Sequence, residues 1–129
     1  MADVNRGNRP LSPHISIYRP QITSTLSILH RITGVGMALA ALLITWWFLA
    51  AASGAAYFDF VDGLLTSWLG YLILIGSLAA FWFHFFNGIR HLRWDAGVGL
   101  GIDESARSGW VAIIGTVVMT LATIAIAIC

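Results

Sequence analysis

Between Arg31 and Asp59 the chain carries no charged residue, and from Ile32 to Ala52 it is almost wholly apolar. A second uncharged run extends from Gly63 to Ile89, and a third from Ser108 to Cys129. The runs are continuously apolar rather than alternating, which excludes the strands of a membrane barrel. As a helix, Ile32 to Ala52 extends roughly 31 Å at about 1.5 Å per residue, close to one bilayer hydrocarbon core. The pattern predicts an all-α membrane domain over residues 1–129, with three transmembrane helices at about 24–52, 62–92 and 107–129. The stretch SGAAYFDFVD, residues 53–62, is expected to be the loop between the first two.

Composition agrees with that reading. Of 129 residues, 58% are hydrophobic and 10% charged, and mean hydropathy is +0.81. A water-soluble domain carries about a quarter charged residues. The net charge of +1 is small and scattered, so nucleic acid is not an expected partner. The one cysteine, Cys129, is the last residue, which rules out an internal disulfide and suits a lipid-facing helix end. The opening MADVNRGNRP lacks the apolar core of a signal peptide and the arginine-serine run of a transit peptide.

Charge placement predicts orientation. Every basic residue is arginine. Arg6, Arg9 and Arg19 precede the first span and Arg90, Arg93 and Arg107 surround the second loop, whereas the 53–62 loop has only Asp59 and Asp62. By the positive-inside rule the N-terminus and the 90–107 loop face the cytoplasm (or matrix) and the C-terminus faces outward. Trp46, Trp47, Trp68, Trp94 and Trp110 fall toward span ends, as in interfacial aromatic belts. Before the first span, RPLSPHISIYRPQ breaks long helix with its three prolines and is expected to lie on the membrane surface or against a partner.

Several polar residues lie within the apolar runs. Ser27 and Arg31 are four apart, hence on one helical face, with His30 one residue off. Such a donor pair suits a carbonyl or carboxylate ligand; equally, an arginine there can snorkel to lipid headgroups. His84 stands among Phe81, Trp82, Phe83, Phe85 and Phe86, where an unpaired imidazole nitrogen costs several kcal/mol. Two satisfied states are open: an interhelical hydrogen bond, or metal coordination with the second nitrogen held by a neighbour. His91 lies about two turns beyond His84, roughly 10 Å along the axis, so one helix cannot give both axial ligands to a single iron. Either two haems bind, or one histidine ligates and the other has a different role. Gly88, one turn after His84, leaves room for a flat group or for another helix.

Two motifs in order carry a family resemblance. RPLSPHISIY followed by the S-x-x-x-R of Ser27 and Arg31, and H-x-x-N-G-I-R-H-L-x-W-D from His84 to Asp95, resemble the succinate dehydrogenase cytochrome b556 subunits, membrane anchors of respiratory complex II. The resemblance covers nearly the whole chain. It implies a subunit that, with a second hydrophobic anchor, docks a flavoprotein and an iron–sulfur protein and passes electrons to ubiquinone in the tricarboxylic acid cycle and respiratory chain. It implies a haem b shared between the two anchors, with His84 as one axial iron ligand and the partner anchor giving the other. Ser27 and Arg31 then match the quinone-site residues, and His30 with Arg31 the haem-propionate contacts. Arg90 and His91 are left as propionate or interface residues. No flavin or iron–sulfur motif is present, so dehydrogenase chemistry belongs to other chains. The implied location is a bacterial inner (cytoplasmic) membrane rather than a mitochondrial one.

Rival readings are a haem-less structural anchor, a b-type anchor of another respiratory oxidoreductase, and a small transporter. A transporter would need charge pairs or broken helices near the bilayer midplane. Here the polar groups gather near one end of the spans.

Overall fold

The computed structural model describes residues 18–129, all of whose regular structure is helical: α1 (Ile22–Ser53), α2 (Ala55–Leu65), α3 (Trp68–Asp95) and α4 (Ile102–Ile128). Three of them, α1, α3 and α4, are long and apolar enough to cross a membrane. The proline-rich segment before Tyr18, with Arg6, Arg9 and His14, lies outside the described residues.

The connection between the first two long helices is itself helical, where a loop was expected. Gly54, at φ +138°, stops α1 in a backbone conformation that side chains rarely adopt, and α2 folds back along the end of α1. Trp46 Nε1 donates to the Tyr57 hydroxyl at 2.7 Å and Trp47 Nε1 to Asp62 Oδ1 at 3.0 Å, while Val61 is fully buried. Asp62 is therefore a tryptophan acceptor as well as a surface charge. With 11 residues, α2 extends only about 16 Å and is too short to span. The turn after it opens α3 at Trp68, where the Ser67 hydroxyl accepts from the Gly70 amide at 3.2 Å.

Several hydroxyls inside the long helices are satisfied locally, as a hydrocarbon environment demands, although Thr120 Oγ1 is buried without a partner. Thr33, Thr45, Ser53, Thr116 and Thr123 each donate to the carbonyl four residues earlier. Two glycines of α4 mark close helix contacts. A Cβ added at Gly109 on α4 would lie 2.7 Å from Leu26 Cδ1 on α1, and one at Gly115 would lie 3.0 Å from the Phe86 ring. Trp82 Nε1 donates to Thr123 Oγ1 at 3.1 Å across the α3–α4 seam.

Beyond these seams most large apolar side chains are exposed, among them Val35, Leu42, Phe48, Val111 and Ile126. Apolar surface so extensive does not suit a water-soluble monomer, and suits lipid or protein neighbours. This is a multi-pass membrane protein. The start of α1, the end of α3 and the start of α4 meet at one end of the bundle, with Arg31, Arg90, Arg93 and Arg107. Asp59 and Asp62 lie on α2 at the other end.

Candidate functional site

The antiparallel course of α1 and α3 brings three imidazoles into one stack. The His30 ring lies 3.8 Å from the His84 ring, 19° from parallel, and 4.8 Å from the His91 ring at 24°. His84 and His91 share one face of α3, and His30 from α1 fills the gap between them. His91 is closed on another side by the edge of Trp94, 5.1 Å away.

Hydrogen bonding places a proton on Nδ1 of two rings. His84 Nδ1 lies 3.0 Å from the His30 carbonyl oxygen. A carbonyl only accepts, so Nδ1 carries the proton, shared with Thr33 Oγ1 at 3.3 Å. In the neutral ring Nε2 is then the lone pair, and it has no partner among the described residues. A neutral imidazole whose other nitrogen donates to a carbonyl is the form that ligates a metal. His91 Nδ1 likewise donates to the Asn87 carbonyl at 2.7 Å. His30 Nδ1 is buried without a hydrogen-bond partner.

The space around His84 is specific. Gly34 faces it closely: a Cβ there would lie 3.0 Å from His84 Cε1. At Gly88 a Cβ would meet nothing within 4 Å, so this chain leaves that side of α3 uncovered. One turn along α1, the seam with α3 opens into an apolar groove of about 330 Å³ lined by Met37, Ala40, Ile44, Ser77 and Phe81. A free imidazole nitrogen beside open and apolar surface fits a hydrophobic, metal-bearing macrocycle.

Ser27 and Arg31 fall on one side of α1, half-buried and exposed respectively, and neither side chain has a hydrogen-bond partner among the described residues. Arg31 lies one turn before Gly34, so this donor row leads toward His84 without joining the imidazole stack.

Arg90 corrects a sequence expectation. Left open as a propionate or interface residue, it is only 5% exposed and each of its nitrogens has a partner within the bundle. Nη1 donates to Asn87 Oδ1 at 2.6 Å, Nη2 to the Ser105 carbonyl at 3.0 Å and Nε to Ser108 Oγ at 3.2 Å. Asn87, fully buried, returns its own amide to the Phe83 carbonyl at 3.0 Å. The sequence alone does not single out Thr33, Gly34 and Asn87, which contact His84 or bond Arg90. The three-residue spacing of Asn87 and Arg90 was an available sign, since it sets them on one face.

These features define a small helical membrane protein with a histidine cluster at one end of its bundle. The profile of the succinate dehydrogenase/fumarate reductase transmembrane subunit family matches residues 5–123, and the chain belongs to this family. It is similar to the succinate dehydrogenase cytochrome b556 subunit of Paracoccus denitrificans, 47% identical over 124 residues, 96% of this chain and 95% of that one. The cytochrome b556 subunit of Rickettsia bellii is 41% identical over 88% of each chain. The cytochrome b560 subunit of Marchantia polymorpha is 39% identical over 79% of this chain and 78% of its own.

Proposed function

We propose that this chain is the haem b membrane anchor of a succinate dehydrogenase, conducting electrons from an iron–sulfur subunit to ubiquinone. The single observation that carries the reading is His84, whose Nδ1–H is committed to the His30 carbonyl and whose Nε2 is free. Family membership and the cytochrome names of the relatives support the cofactor. Bound there, haem supplies a one-electron site within the membrane.

The residues divide the work by position. His84 would hold the haem iron through Nε2, with Thr33 and the His30 carbonyl orienting its ring. A second hydrophobic anchor subunit supplies the other ligand and covers the open side at Gly88. His30, its Nδ1 buried and unpartnered, and Arg31 serve the propionates. Ser27 and Arg31 hold the ubiquinone headgroup by donating to a carbonyl oxygen that gains negative charge as electrons arrive. The flavoprotein and iron–sulfur protein dock at the arginine-rich end, which faces the cytoplasm across a bacterial inner membrane.

Purification of the native assembly tests this reading. A succinate-oxidising flavoprotein, an iron–sulfur protein and a second small anchor should accompany the chain, and dithionite should develop a b-type haem spectrum. Co-purification with a hydrogenase or formate dehydrogenase contradicts the partner assignment. An assembly without haem contradicts the cofactor assignment.

A further inference from the structure

Arg90 is a cation in the bundle interior whose partners are all neutral. They are the Asn87 side-chain oxygen, the Ser105 carbonyl and the Ser108 hydroxyl, with the Trp94 ring 4.8 Å from Cζ. No carboxylate of the described residues is among them. Buried arginines are usually paired, because an isolated charge is costly to remove from water. Here three of the five donors are met by neutral dipoles instead, and Glu104, which lines the same small pocket, is not bonded to the guanidinium.

Its place in the bundle relates it to the histidines. The guanidinium reaches the α1–α3–α4 junction, where a Cβ at Gly109 would lie 3.5 Å from Arg90 Nη2 and 2.7 Å from Leu26 Cδ1. Leu26 is one helical turn before His30, the middle ring of the stack. Asn87 accepts from Arg90 through its side chain and from His91 through its carbonyl. We infer that Arg90 is an electrostatic positioning residue whose charge raises the reduction potential of the haem held at His84. The inference rests on the haem reading above. Reduction adds one negative charge to the haem, and a fixed cation in a medium of low dielectric favours that state. Arg90 touches neither iron nor quinone; it acts through the field.

Potentiometric titration of the haem in the purified complex tests this, with Arg90→Gln, Arg90→Lys and Ser108→Asp. Arg90→Gln removes the charge, whereas Ser108→Asp keeps Arg90 and sets a carboxylate where the hydroxyl now accepts from Nε. Both should shift the reduced-to-oxidised ratio at fixed poise about tenfold toward oxidised haem, a midpoint about 59 mV lower for one electron. The six-coordinate spectrum should persist. Arg90→Lys, which keeps a cation, should stay near the parental midpoint. If Arg90→Gln does not assemble, Ser108→Asp decides the matter. A parental midpoint in haem-replete Ser108→Asp overturns the inference and leaves the haem reading standing. So does an Arg90→Lys shift as large as that of Arg90→Gln, which would make packing the cause. A parental complex that lacks haem overturns the haem reading, and this inference with it.

Discussion

His30 and His84 lie ring against ring, centroids 3.8 Å apart, and the backbone carbonyl of the first accepts the Nδ1 proton of the second at 3.0 Å. The two residues are 54 positions apart, on antiparallel helices. One residue of α1 thus sets both the tautomer and the tilt of an imidazole on α3. Because the acceptor is a main-chain oxygen, substituting the His30 side chain removes the stacking partner but leaves the acceptor in place.

Gly34 should be the least replaceable glycine near the site. A Cβ there would lie 3.0 Å from His84 Cε1, so Gly34→Ala must displace the ring by a few tenths of an ångström, whereas a Cβ at Gly36 meets nothing within 4 Å. Gly34→Ala is expected to broaden or shift the haem absorption band, and Gly34→Leu to lower haem content severalfold. Gly36→Ala should match the parent. Haem-to-protein ratios and reduced-minus-oxidised spectra of the three complexes check this.

Ser27→Ala and Arg31→Leu should slow quinone reduction on the order of 10²-fold, the common cost of losing a donor to developing charge in a water-poor site. Succinate oxidation with a soluble artificial acceptor should persist, since that chemistry resides on other subunits. Haem content must be measured in parallel, because Arg31 is assigned to propionates too. Two haem-replete variants that reduce quinone at the parental rate would make Ser27 and Arg31 lipid-facing residues only.

Asn87→Leu should weaken the α3–α4 seam. The substitution strips Arg90 Nη1 of its acceptor and leaves a fully buried site to be refilled. A buried charged donor without its acceptor costs at least about 1–3 kcal/mol. Thermal stability of the detergent-solubilised complex should fall, while Ser53→Ala, at an exposed position that bonds only its own helix, should not change it.

Reporter fusions at Gly54 and after Cys129 should both lie outside the cytoplasm. The arginines flanking α1, α3 and α4 gather at the opposite end of the bundle from Asp59 and Asp62. A cytoplasmic signal from either fusion reverses the topology and moves the quinone site to the other face.

The three long helices were legible because the absence of charge over a bilayer's thickness is a local property of the chain. The helical nature of α2 was not. Gly54 and two aspartates look like a loop, and what holds α2 down is a pair of tryptophan hydrogen bonds reaching 11 and 15 residues back into α1. At the site, His84 stood out as an imidazole among phenylalanines. That His30 stacks against it depends on the crossing of α1 and α3, which no spacing within one helix reveals. Arg90 misled for a similar reason: near Arg93 and Asp95 it reads as a surface residue. The serines that enclose it come from the following helix.

The haem ligand itself is tested most directly by the near-infrared magnetic circular dichroism of the oxidised complex, with His84→Ala and His91→Ala compared against the parent. This signal reports the axial ligand pair rather than activity. The parent and His91→Ala should both show bis-histidine ligation, because His91 is enclosed by His30 and Trp94, whereas the apolar groove begins at Phe81, one turn from His84. His84→Ala should lose that signature, whether or not haem remains at lower occupancy. Retention of bis-histidine ligation in His84→Ala together with its loss in His91→Ala would contradict the account and transfer the ligand to His91.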